Sequence, residues 1–184
     1  MPDLKEKITY QGKIIEVVEQ EIEQNGKTKT FELARRSPGV RLIIPKGSGV
    51  LLSKEYRHEI QGYDYRLPGG KVYDSLAEYN SALEASTDIQ EAARSAAIKE
   101  AKEEAGITIA DLTFFHKSVL GATVAWDLFY FIVNKYNEGI QHLEDGEDIT
   151  MELLDRGEVE AMCLDGRISE ERSALVLLRY LKNH

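Results

Sequence analysis

Residues 99–107, KEAKEEAGI, constrain the fold more than any other stretch, because they gather like charge at the end of a helix. At 3.6 residues per turn Glu100 lies one turn from Glu103 and Glu104, so three carboxylates share an arc of roughly 100°. A like-charged pair at this spacing costs about 0.2–0.5 kcal/mol, and a carboxylate at the negative end of the macrodipole about 0.3–1 kcal/mol. Gly106 marks that end, and Thr87 followed by Gln90 reads as a capping box at the other. The intervening alanines give strong helix propensity. On the wheel Ala93, Ala96 and Ala97 fall beside the glutamates, and Ile98, Ala101 and Ala105 form the expected inward face. Two readings are open. The cluster is a solvated face partly neutralised by Lys99 and Lys102, or it is a site for a hard divalent cation, whose charge would outweigh the repulsion.

A length of 184 residues allows one main fold with a small extra unit. The net charge of −9 argues against a nucleic-acid partner, and an acidic surface would repel a small phosphate compound unless cations stood between them. Cys163 is the only cysteine, which rules out an intrachain disulfide and a thiolate zinc site; it is expected as a buried small residue. His58, His116, His142 and His184 show no metal-ligand spacing. The opening MPDLKEKITYQGK lacks the apolar core of a signal peptide and no run is long enough to span a bilayer, so a cytoplasmic protein without membrane contact is expected.

KIIEVVEQEIEQ and KTKTFELARR flank Asn25-Gly26, a strong hairpin signal, and predict a small antiparallel N-terminal unit. GVRLIIP and GVLLSKEYR read as a second hairpin in the core sheet, and a Pro-Gly-Gly turn follows in YRLPGGKVYD. LTFFHKSVL and AWDLFYFIVNKY read as later strands, the second buried, with Trp126 in the core. EGIQHLEDGEDI has loop character, and ISEERSALVLLRYLKNH closes the chain as an amphipathic helix. The expected class is α/β, a mixed sheet with a helix on each side.

Taken together, Gly70, Glu91, Lys99-Glu100-Ala101, Glu103-Glu104 and Gly106-Ile107 resemble the Nudix box, G-x5-E-x7-R-E-u-x-E-E-x-G-u with u apolar. There are two departures. The five residues expected between the glycine and Glu91 become the twenty from 71 to 90, an excess of 20 − 5 = 15, and SLAEYNSALEAS within them can form a short helix. Lys99 replaces the usual arginine, keeping the charge but losing its planar fork. Outside the box, KEYRHEIQGYDYRLPGGK and GEDITMELLDRGEVEAMCLDGRI look like the ADP-ribose pyrophosphatase branch, although Arg66 stands where a glutamate is common.

The resemblance implies a Nudix-type mixed sheet sandwiched between helices (α/β/α), with residues 1–38 as an N-terminal β-hairpin unit for dimerisation and residues 39–184 as the hydrolase domain. It implies Mg²⁺ or Mn²⁺ held by Glu100, Glu104, the Gly69 carbonyl and Glu103, and a general base from the acidic loop, Glu147 first, with Asp145 and Glu144 open. Arg57, Arg36 and Gly70 become candidates for substrate contact, with surface ion pairing the structural alternative for the arginines. The implied substrate is a nucleoside diphosphate sugar, most of all ADP-ribose, cleaved by a homodimer. GDP-mannose, NADH or a diadenosine polyphosphate is the close variant, and a catalytically silent nucleotide-binding module the distant one.

Overall fold

The computed structural model of the chain describes residues 5–58, 60–143 and 148–184. Its first sheet has four strands in the order β1 (Lys5–Gln11), β2 (Glu16–Gln24), β3 (Lys27–Arg35) and β8 (Val124–Ala125). Gln24 pairs with Lys27 across a two-residue turn in which Asn25 (φ 55°) and Gly26 (φ 70°) both take the left-handed conformation that a twisted hairpin requires.

The second sheet has six strands: β10 (Ile149–Asp155), β5 (Gly49–Arg57), β4 (Gly39–Lys46), β9 (Leu128–Glu138) and β7 (Ile107–Ser118) in order, with β6 (Gly62–Arg66) also paired to β5. Alternation along β4 and β9 divides the core in two. Val40, Leu42, Ile44, Phe129, Phe131 and Val133 pack towards helix α2 (Ile89–Glu103). Ile43, Leu128, Tyr130 and Ile132 pack with Val159, Met162 and Leu177 from α3 (Arg156–Asp165) and α4 (Glu171–Asn183) on the other face. Strand β9 is therefore buried on both sides, which explains its unbroken apolar run. The result is the expected α/β/α sandwich, and no described helix is long and apolar enough to cross a membrane.

Residues 71–90 contain helix α1 (Leu76–Glu84), capped by Ser75, whose hydroxyl accepts from the Glu78 N–H. It docks on the first sheet: Asn80 Nδ2 donates to Glu16 Oε2 at 3.0 Å, while Glu16 Oε1 accepts from Arg35 Nε at 2.7 Å.

Helix α2 corrects two expectations. Its cap is Asp88, whose carboxylate accepts from the N–H groups of Gln90 and Glu91, while Thr87 N–H closes the preceding helix on the Ala82 carbonyl. Its buried face is Ala93, Ala97 and Ala101, and Ile98 is 45% exposed. At 100° per residue Glu100 and Glu104 fall within about 20° of Ala93, so both carboxylates point towards the body of the protein. An alanine stripe lets the helix lie close to the sheet and leaves room for acidic side chains on the same face.

Cys163 is half-buried rather than fully enclosed as expected, packed against the α3–α4 side of the core, where burial, with Glu160 and Asp165 adding to it, pushes its thiol up to about 11. A raised pKa keeps the proton on, so the thiolate fraction at pH 7.5 is on the order of 10⁻⁴–10⁻³. Native protein is expected to react with a thiol-specific disulfide reagent far more slowly than unfolded protein, with a rate rising about tenfold per pH unit up to about pH 11. Equal rates at pH 7.5 would contradict this burial.

Candidate active site

The glutamates are brought to the sheet by the bend that follows β6. Pro68 and Gly70 give their carbonyls to the N–H groups of Leu42 and Val40, which lays the bend along β4. Gly69 has φ +143°, and a Cβ there would stand 2.2 Å from the Val40 carbonyl oxygen. Its N–H donates to Glu104 Oε2 at 2.7 Å, joining bend and helix directly. Glu100 fills the space that a side chain at Gly70 would take, since a Cβ there would lie 2.1 Å from Oε1. Both glycines are thus required by close approach, one to a strand and one to a carboxylate.

Between bend and helix lies a pocket of about 130 Å³ lined by Gly70, Lys71, Asp74, Lys99, Glu100, Glu103 and Glu104. Lys99 Nζ stands 3.8 Å from Glu103 Oε2, so the substituted lysine still bears on a box glutamate. Glu91, nine residues from Glu100, lies about 14 Å back along the helix and outside the pocket. Among the described residues no three acidic, histidine or cysteine side chains already converge as ligands; the glutamates line a pocket. Their oxygen donors fit a hard divalent cation, and the contact of Glu100 with Gly70 fixes where one carboxylate is presented. Gly70→Ala is expected to displace Glu100 and weaken Mn²⁺ or Mg²⁺ affinity by about 10–100-fold, measured by calorimetry, with the fold retained. Unchanged affinity would remove that contact from the site.

Of the other candidates, Glu144, Asp145 and Glu147 lie outside the described residues. The segment's flanks are tied to the end of α2. His142 N–H donates to the Glu103 carbonyl, and the Gln141 side-chain amide donates to the carbonyls of Glu104 and Ile149. Arg57 pairs with Glu55 at 2.7 Å and also lines a second cavity, which contains Arg36. Arg35 instead serves structure, paired with Glu16 and Glu6. Trp126 packs against the core as expected but also borders that second cavity. Asp74, Lys71 and Arg41 were not among the sequence candidates. Arg41 left one trace, a charge interrupting the apolar run GVRLIIP.

A glycine bend laid against carboxylates on a helix presents the oxygen donors that metal-assisted hydrolysis needs. Residues 34–172, that is 172 − 34 + 1 = 139 of 184, match the family model for the NUDIX domain. The chain belongs to the NUDIX family and is a Nudix pyrophosphohydrolase. Among solved structures it is similar to a crystal structure of an ADP compounds hydrolase, with a TM-score of 0.67 and 17% identity over 97% of this chain and 92% of that one, a likeness of fold. No sequence among the curated proteins matches the chain.

Proposed function

We propose that the protein is a Mg²⁺- or Mn²⁺-dependent hydrolase of nucleoside diphosphate sugars that converts ADP-ribose to AMP and ribose 5-phosphate. The observation that carries this reading is the seating of Glu100 and Glu104 against Gly69 and Gly70, in a pocket that Glu103 also lines. In it Glu100, Glu104 and the Gly69 carbonyl hold the main cation and Glu103 shares a second. Bound there, the ions supply charge neutralisation of the diphosphate, polarisation of a P–O bond and acidification of water.

The chain's own groups do the rest. A carboxylate of the 144–147 segment, Glu147 first, takes the proton from the attacking water; the tying of residues 141 and 142 to the end of α2, with the Gln141 amide also donating to the Ile149 carbonyl, favours this origin. One P–O bond of the anhydride breaks, the water oxygen forms another, and both products leave as phosphate monoesters. Arg57 orients the diphosphate from the neighbouring cavity. Residues 1–38 form the unit through which two copies pair, an arrangement favoured by the exposed Ile8, Tyr10, Ile14 and Phe31.

The test is a screen of ADP-ribose, GDP-mannose, NADH and diadenosine polyphosphates with Mg²⁺ or Mn²⁺, with products identified. AMP and ribose 5-phosphate from ADP-ribose are expected. A panel left intact would overturn the reading, and turnover of another member alone would reassign the substrate.

A further inference from the structure

Where the glycine bend lies along β4, one backbone acceptor has to find its donor elsewhere. Val40 gives its N–H to the Gly70 carbonyl, and in an extended strand the C=O of a residue faces the same side as its N–H, so the Val40 carbonyl also faces the bend. Its nearness shows at Gly69, where a Cβ would stand 2.2 Å from that oxygen. Pro68 has no N–H to offer, and the Gly69 N–H is turned from the strand to Glu104 Oε2 at 2.7 Å. Val40 is fully buried, and a buried carbonyl without a donor is costly. Arg41 supplies the donor. Its Nη1 reaches back to the Val40 carbonyl at 2.9 Å.

The rest of that guanidinium is tied inside the protein as well. Arg41 Nε donates to Glu170 Oε2 at 3.2 Å, and the same oxygen accepts from Ser173 Oγ at 2.7 Å, with the Tyr130 hydroxyl 3.3 Å from Ser173 Oγ. Arg41 is 8% exposed, and Ser173 and Tyr130 are fully buried. A continuous set of contacts thus runs from the start of α4 through Arg41 and the Val40 carbonyl to the bend and Glu104. We infer that Arg41, clamped by Glu170, is a positioning residue for the candidate active site: by standing in for the Gly69 N–H on the Val40 carbonyl, it leaves that N–H to fix the carboxylate of Glu104. In this role Arg41 touches neither cation nor substrate. A lysine has one ammonium for two partners and lacks the planar fork that serves both. The consequence for cation binding rests on the proposed metal-dependent hydrolysis; the hold on the bend does not.

Two measurements on the full chain separate these. Hydrogen exchange at the Gly69 amide, followed by nuclear magnetic resonance in EDTA, reads the bond to Glu104 without metal, and calorimetry with Mn²⁺ reads the cation. Arg41→Met is expected to speed exchange at Gly69 at least about tenfold and to weaken Mn²⁺ binding by about 10–100-fold, with an unchanged circular dichroism spectrum. Arg41→Lys is expected to fall between. Glu170→Ala is expected to change both readouts in the same direction, and Glu170→Gln, whose amide oxygen still accepts, to recover most of the loss. The Glu170 pair decides the matter if Arg41→Met does not fold. Asn80→Ala, which loosens α1 outside this set of contacts, is expected to change neither readout. Gly69 exchange as slow in Arg41→Met and Glu170→Ala as in the wild type, Mn²⁺ bound as tightly by both as by the wild type, or an equal loss in Asn80→Ala overturns the assignment. A wild type that binds no Mn²⁺ while its Gly69 exchange still depends on Arg41 upholds the hold on the bend and counts against the hydrolytic reading alone.

Discussion

Glu104→Gln is expected to lower kcat on ADP-ribose by at least about a hundredfold at saturating Mg²⁺ while leaving the protein folded. The loss follows from charge. Cations at a phosphoryl centre contribute several kcal/mol, at about 1.4 kcal/mol per decade of rate, and a neutral amide cannot anchor them as a carboxylate does. The fold should survive because an amide oxygen can still accept the Gly69 N–H, the 2.7 Å contact that holds the bend to the helix. Removing a charge from a crowded helix end also relieves repulsion, so the thermal midpoint should hold or rise slightly. Steady-state kinetics and a melting curve on the same preparation check both halves. Near-normal turnover removes Glu104 from the chemistry, and a collapsed midpoint makes it a structural residue.

Glu16→Ala is expected to have the largest effect on stability. Its carboxylate is fully buried and is shared between Arg35 on β3 and Asn80 on α1, so its removal leaves the mostly buried Arg35 guanidinium with only its contact to Glu6 on that sheet. Breaking one side of a buried ion pair costs about 3–5 kcal/mol. For a chain of this size that corresponds to a drop in thermal midpoint of about 6–20 °C. Asn80→Ala removes only the link to the insertion and should cost about 1–3 kcal/mol. A Glu16→Ala midpoint within 2 °C of the wild type, on the order of 1 kcal/mol or less, would mean that α1 is not anchored as described.

The glutamates were legible because their spacing lies on one helix, so sequence separation translates directly into geometry. Their orientation was not. Taking Ile98 as the inward residue assumed that charge faces water, whereas the sheet accepts the alanine stripe and turns Glu100 and Glu104 inward. Strand β1 left no signal, since all seven of its residues are exposed and no burial alternation marks it. Helix α3 carries its start signal in Asp155 and Glu158, but Gly157 between them reads as a breaker. The arginine-lined cavity was legible only in part: Arg57 and Arg36 were candidates for substrate contact, but Arg41 was not, and the packing of strands β3, β4 and β5 is what brings the three to one cavity.

The central claim is that the carboxylates seated against the glycine bend hold divalent cations. Titration of Mn²⁺ followed by the electron paramagnetic resonance of the free ion measures this without substrate. The wild type should deplete the free signal stoichiometrically, with Glu100→Gln and Glu104→Gln each losing most of that binding. A wild-type protein that leaves the free Mn²⁺ signal undiminished, or variants that bind as it does, would contradict the account.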